Sequence, residues 1–249
     1  MRSVVVIPAR YGSSRFPGKP ITPILSKPLI IWVAELSERA VGIDNVYIAT
    51  DDYRIEHLVR AAGFQTVLTS SSAMTGTDRI AEAAREIEAD IFLNVQGDEP
   101  LVHPGDILKV RNAKRENMNR VVNAYALMSP EEDPSSLNIP KVITDEKSNL
   151  IYMSRALIPG FKDPHRASVA YKKQVCIYGM TRDELRAFAE MGRKSTLEEA
   201  EDIEILRFLE LDRKVHMVET ASGSLAVDVP SDVLKVEKEM KRRLGLQVG

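Results

Sequence analysis

The sequence predicts an α/β protein built on a parallel sheet with helices on both faces. Two observations carry this. Short apolar runs rich in β-branched residues alternate with segments of helical periodicity through the first half of the chain. Strands that are apolar throughout, rather than at every second residue, are buried on both faces, as in a parallel sheet flanked by helices. At 249 residues the chain suffices for one large α/β domain or two small ones, and no internal repeat or linker divides it. We expect a single domain over 1–249 with a less regular excursion at about 125–180.

Residues 4–7 open the chain as a strand. Residues 28–40 form an amphipathic helix, 45–50 a strand, 55–62 a helix and 66–69 a short strand. A helix over 79–88 and a fourth strand over 91–95 complete the first half. In the second half 121–127 reads as a strand, 129–140 as a polar, Pro-containing connection, and 141–144, 150–154 and 174–180 as further strands. Between the last two, 159–170 is polar, turn-rich and expected to move. Residues 197–211 and 231–244 read as helices. The latter pairs Glu237 with Lys241 and Glu239 with Arg243 at i,i+4, the pattern of a solvated surface.

Composition excludes several classes. A net charge of −2 gives no global basic field to recruit a nucleic acid. No apolar run reaches the length of a membrane span. The single cysteine, Cys176, cannot form an internal disulfide, and the chain starts on its first strand without a signal peptide. A reducing cytoplasm is therefore expected. Cys176 sits in VCIYGM and reads as a small buried hydrophobe rather than a nucleophile. His57, His103, His165 and His216 are scattered without metal-ligand spacing, and neither a Ser/His/Asp nor a Cys/His set is evident.

Open α/β sheets hold ligands beyond the carboxyl ends of their strands, which directs attention to the loops after Ile7, Ala49 and Val95. The first of these, PARYGSSRFPGKP, offers Ala9, Arg10, Gly12, Ser13, Arg15 and Lys19. Small residues let backbone amides approach phosphate oxygens. Arginine grips phosphate through paired N–H bonds, and lysine adds a mobile point charge. The alternative, a solvated basic loop, accounts less well for so many cations and prolines together.

NVQGDEP at 94–100 follows the fourth strand. Asp98 is suited to bind Mg²⁺, which prefers one or two carboxylates plus substrate phosphates. Gln96 is suited to hydrogen-bond a ligand, and Gly97 leaves room for it. LAVDVPSD places Asp228 beyond an expected strand end at 225–227. Asp228 is either a second magnesium ligand or a turn residue before the last helix. In TGTDR, Thr77 and Arg79 either line a nucleobase pocket or, for Thr77, cap the helix. Glu204 and Arg207 either face the site or each other. Two carboxylates and a basic loop around one crevice suggest metal-assisted attack on a nucleoside triphosphate.

PARYGSSRFPGKP, TGTDR, NVQGDEP, SRALIP, IYG, LEEAEDIEILR and VDVP occur in the order and approximate spacing of one family. Over nearly its whole length the chain resembles the 3-deoxy-D-manno-octulosonate cytidylyltransferases, or CMP-Kdo synthetases. The resemblance implies a three-layer α/β/α, Rossmann-like nucleotidyltransferase fold. It also implies CTP and Mg²⁺, a 3-deoxy-ulosonic acid acceptor, and a cytoplasmic homodimer serving lipopolysaccharide or related glycans. By the same resemblance Arg10 and Lys19 match triphosphate-binding positions, and Asp98 and Asp228 the magnesium-binding carboxylates. Gln96, Arg155 and Tyr178 match positions lining the sugar-acid pocket, with Arg155 expected to pair with the acceptor carboxylate. Gln174 and Glu204 join them as candidate substrate contacts.

The departures lie on the sugar side. Gln174 stands where the family usually has His, and Ile205 where it usually has Gln. Ala73 and Met74 replace a His and a Gln, and Val229 replaces Thr. Altered hydrogen bonding in such a pocket changes selectivity, so a modified acceptor is expected, such as an amino-substituted octulosonate or a nine-carbon relative. Two rival functions share the basic loop: nucleotidyl transfer to a phosphorylated sugar or alcohol, and a non-catalytic nucleotide-binding regulator.

Overall fold

The structure is a computed structural model that describes residues 1–12, 15–163, 170–221 and 225–246. Its centre is β1 (Ser3–Ala9), buried along its whole length. Val4 and Val6 face one core while Val5 and Ile7 face the other, as the two-residue period of a strand requires. A small hairpin of β2 (Pro23–Ile24) and β3 (Lys27–Pro28) leads into α1 (Leu29–Val41). β4 (Val46–Thr50), α2 (Tyr53–Ala61), β5 (Gln65–Leu68), α3 (Gly76–Ala83) and β6 (Ile91–Val95) follow in alternation.

The second half contains α4 (Pro104–Glu116), β7 (Val121–Leu127), β8 (Lys141–Thr144), β9 (Leu150–Ser154) and β10 (Lys172–Met180). After these come α5 (Arg182–Glu190), α6 (Thr196–Glu201), α7 (Ile205–Glu210), β11 (Val215–Glu219) and α8 (Asp232–Leu244).

The main sheet runs β5-β4-β1-β6-β10-β7-β11. β5, β4, β1 and β6 are mutually parallel, and β11 is parallel to β7. β10 enters antiparallel between β6 and β7, so the sheet is mixed but mostly parallel. β8 and β9 extend from β10 as an antiparallel pair within the 125–180 region. One face is covered by residues such as Ile30, Val33, Ile55, Val59, Ile107 and Val110 of α1, α2 and α4. The other is covered by Ile80, Leu185, Phe188, Ile205, Leu206 and Phe208 of α3, α5 and α7. A third, smaller cluster joins Ile24, Leu29, Leu101 and Val227 to Val236 and Met240 of α8. No helix among the described residues is long and apolar enough to cross a membrane.

Several elements differ from the sequence expectation. The helix expected over 197–211 is two, α6 and α7, because Asp202 adopts a left-handed conformation (φ 50°, ψ 49°) between them. No strand forms at 225–227; that stretch is irregular, with Val227 fully buried in the third cluster. α3 begins at Gly76 rather than Arg79, with Thr75 as its cap: the Thr75 hydroxyl accepts from the Asp78 amide. Thr77 is therefore inside the first turn. α4, α5 and β11 were not expected from periodicity. Ser13 and part of 159–170 lie outside the described residues.

Candidate active site

β1 is flanked by β4 on one side and β6 on the other, although the chain passes from β1 to β4 to β5 before returning to β6. This is a topological switch point, where open α/β sheets form a crevice. A cavity of about 290 Å³ opens there. Pro8, Ala9 and Arg10 reach it from the end of β1, and Gln96, Gly97 and Asp98 from the end of β6. Gly97 is needed for that approach, since a Cβ would stand 3.0 Å from the Pro8 carbonyl and 3.2 Å from Ile30 Cδ1.

The basic loop is turned back onto the sheet by Gly18, whose φ of 73° suits glycine. Its amide donates to the Tyr11 carbonyl at 2.9 Å. The Arg54 guanidinium stacks 3.3 Å from the Tyr11 ring centroid and so ties the loop to α2. Lys19 begins the short turn that follows, and its Nζ donates to Asp98 Oδ2 at 2.6 Å. Arg15 Nη2 lies 3.5 Å from Asp228 Oδ1. Asp228 reaches this wall because Val227 is anchored in the third core and its amide donates to the Asp98 carbonyl at 2.9 Å. Asp228 lies three residues before Ser231, which stands at the N-cap position of α8 without a side-chain cap hydrogen bond, so Asp228 does not cap the helix. Arg10, Arg15, Lys19, Asp98 and Asp228 thus line one cavity.

A second wall comes from α3 and the α6–α7 break. Glu204 lines the cavity, and its carboxylate accepts from the Gly76 amide at 3.2 Å, the Thr77 amide at 2.9 Å and the Thr77 hydroxyl at 2.5 Å. It thereby clamps the amino end of α3. Burial pushes its carboxyl above the ordinary carboxylate value, against the pull of those donors. Arg79 also lines the cavity but is held by Thr69, Ser70 and Asp51. Arg207 is fully buried and pairs with Asp78 and Glu198, at 2.8 and 2.5 Å. Glu204 and Arg207 therefore bind α3 and α6 rather than each other.

Of the residues singled out by sequence, Ala9, Arg10, Arg15, Lys19, Arg79, Gln96, Asp98, Glu204 and Asp228 line the cavity; Gly12, Thr77, Arg155, Gln174 and Tyr178 do not. Arg155 donates to the backbone carbonyls of Glu201, Leu137 and Asp202, which commits its guanidinium to holding the α6–α7 break in place. Tyr178 is buried, and its hydroxyl accepts from Gln174 Nε2 at 3.1 Å. Burial, foremost, pushes its phenol well above the ordinary value. Cys176 shows the same effect, reinforced by Glu99 and Asp98, which disfavours a thiolate nucleophile. Of the cavity residues, Lys194 lies outside every motif named from the sequence, and Asp202 falls within LEEAEDIEILR without a role assigned to it there.

A basic loop and two carboxylates around a switch-point crevice are suited to hold a polyphosphate for transfer of one phosphoryl-linked group. Comparison with known proteins agrees. The family described as Cytidylyltransferase matches residues 4–215. The chain is 39% identical, over 97% of its length and 99% of the relative's, to a 3-deoxy-manno-octulosonate cytidylyltransferase of Geobacter metallireducens. It is 38% identical, over 96% and 99%, to an 8-amino-3,8-dideoxy-manno-octulosonate cytidylyltransferase of Shewanella oneidensis. A solved structure of CMP:2-keto-3-deoxy-manno-octonic acid synthetase complexed with CTP superposes with a TM-score of 0.90 at 34% identity, covering 98% of this chain and all of that one. The chain belongs to the cytidylyltransferase family, in the group of the 3-deoxy-manno-octulosonate cytidylyltransferases, and is a nucleotidyltransferase.

Proposed function

We propose that this enzyme transfers CMP from CTP to the anomeric 2-hydroxyl of a 3-deoxy-octulosonic acid, releasing pyrophosphate. The observation that carries the reading is the convergence of Arg10, Arg15 and Lys19 with Asp98 and Asp228 on one cavity. The family and the CTP complex of the similar synthetase favour cytidine as the nucleoside.

Arg10, Arg15 and Lys19 grip the triphosphate and stabilise the charge that develops on the leaving pyrophosphate. Gln96, whose side-chain amide borders the start of α3, hydrogen-bonds the ligand where nucleotide and acceptor meet. The acceptor oxygen attacks the α-phosphorus in line. The bond to the β-phosphate breaks, and the hydroxyl proton passes to solvent. Arg79, Thr75 and Gly76 form the wall against the base.

The donor set fits Mg²⁺: two carboxylates share the cavity with groups suited to phosphate, and magnesium commonly completes its shell with phosphate oxygens and water. Asp98 and Asp228 would hold it. When bound, the ion would neutralise phosphate charge and lower the pKa of the acceptor hydroxyl. A cytoplasmic homodimer remains part of this proposal, on the likeness to the family.

The test is pyrophosphate release from each of the four nucleoside triphosphates with 3-deoxy-manno-octulosonate as acceptor. The expected result is release with CTP and formation of a CMP-linked sugar acid. Release only with a phosphorylated sugar, giving a diphosphate-linked product, would favour the rival transferase. CTP binding without release across a panel of ulosonic acids would favour the regulator.

A further inference from the structure

Resting on the octulosonate acceptor proposed above, we infer that Asp202 is a specificity-determining residue selecting an acceptor that carries a protonated amino group. Three acidic residues line the second wall of the cavity: Glu198, Asp202 and Glu204. Two of them are committed to the protein itself. Glu204 gives both oxygens to Gly76 and Thr77. Glu198 gives its oxygens to Arg207 at 2.5 and 2.6 Å and to the Ser195 amide at 3.0 Å.

Asp202 differs. Its Oδ1 accepts from Lys194 Nζ at 3.1 Å, and among the described residues Oδ2 has no hydrogen-bond partner. Its side chain is 72% exposed, so the carboxylate is reachable by a ligand. The main chain beneath it is fixed: the residue holds a left-handed conformation, and its carbonyl accepts from Arg155 Nη2 at 3.1 Å. The neighbouring Glu201 carbonyl accepts from Arg155 Nε at 2.5 Å. A carboxylate oxygen with free acceptor lone pairs therefore stands on a rigid support in the cavity wall.

The surrounding cations do not neutralise it strongly. Arg79 is held by Thr69, Ser70 and Asp51, and Arg155 by backbone carbonyls. Lys194 is a partly exposed partner, and such pairs are weak and yield to a competitor. An ammonium on the acceptor would make a charge-assisted hydrogen bond to Oδ2, roughly twice as strong as one from a neutral hydroxyl. Ile203 beside it, which also lines the cavity, is buried and its apolar side chain offers a sugar hydroxyl nothing.

The experiment measures kcat/KM of the full chain with CTP for two acceptors, 3-deoxy-manno-octulosonate and 8-amino-3,8-dideoxy-manno-octulosonate, at neutral pH. The wild type is expected to favour the amino acceptor by about tenfold or more. Asp202→Asn keeps the left-handed turn, which Asn also tolerates. It is expected to bring the ratio close to one while leaving KM for CTP unchanged. Lys194→Met, which removes the resident cation, is expected to keep or raise the ratio. A ratio unaltered in Asp202→Asn, a wild-type preference for the hydroxyl acceptor, or equal loss in both variants overturns the inference. Turnover of both acceptors at similar rates by the wild type defeats this inference alone. CTP binding with turnover of neither defeats the octulosonate reading as well.

Discussion

Lys19 and Asp98 are bound to each other across the candidate active site, with Nζ donating to Oδ2 at 2.6 Å. Their side chains are 17% and 25% exposed, so the pair is shielded yet open to the cavity. One residue comes from the loop after β1 and the other from the loop after β6, so this contact joins the two halves of the switch point. Arg15 and Asp228 repeat the arrangement at 3.5 Å nearer the surface. Each carboxylate proposed to hold a metal thus faces a cation proposed to hold phosphate.

Asp98→Asn retains an acceptor for Lys19 and removes the negative charge. Stability is expected to change by about 1 kcal/mol or less, while kcat falls about 10²–10³-fold. Pyrophosphate release and a urea titration on the same preparation check both. Turnover at the wild-type rate would remove Asp98 from the metal role.

Val227 holds Asp228 in place without any strand. Val227→Ala is expected to lower stability by about 2 kcal/mol, from lost burial and the cavity left behind. It should also lower kcat several-fold, because the anchor of Asp228 loosens. Denaturant unfolding and steady-state kinetics report the two effects separately.

Arg207 neutralises Asp78 and Glu198 in the interior, and its guanidinium stacks 3.6 Å from the Phe188 ring centroid. Arg207→Leu leaves two buried carboxylates unpaired and should cost about 3–5 kcal/mol. Adding Asp78→Asn and Glu198→Gln to it should recover part of that loss, as read from urea midpoints.

Glu204 gives the stability a pH dependence. Its folded carboxyl is raised above the ordinary 4.5, by burial first. As pH rises past that ordinary value the unfolded chain loses its proton first, so the folded state binds more protons. Stability therefore falls with rising pH until the folded carboxyl also ionises, and this contribution then levels off. Glu204→Gln should abolish that segment of the slope in urea midpoints collected from pH 4 upward.

The first half of the fold was legible because each strand is a short apolar run and each helix keeps an apolar stripe. What stayed hidden has physical reasons. α4 buries little beyond Ile107 and Val110 among its apolar residues, so its stripe is thin. α5 did carry a signal, the Thr181–Glu184 capping box at its start. The direction of β10 cannot be read from side-chain periodicity, since parallel and antiparallel strands share it. The α6–α7 break falls at an aspartate, with no glycine or proline to announce a left-handed residue. Leu225–Val227 is apolar for a different reason than a strand: Val227 plugs the cluster beneath α8.

In the site, the basic loop and both aspartates were legible because their chemistry is concentrated in short motifs. Arg155 was not, because a guanidinium that recognises a ligand and one that supports a helix break look alike in sequence. Lys194 and Asp202 meet only through the fold of the break itself.

The central claim is that an acceptor hydroxyl oxygen attacks the α-phosphorus of CTP in this cavity. The most direct measurement uses acceptor labelled with ¹⁸O at the anomeric hydroxyl and follows the label by ³¹P NMR and mass spectrometry. The account predicts that the label bridges sugar and phosphorus in the CMP-linked product, with unlabelled pyrophosphate released. Label recovered in pyrophosphate or water, or a product linked through any other oxygen, would contradict it.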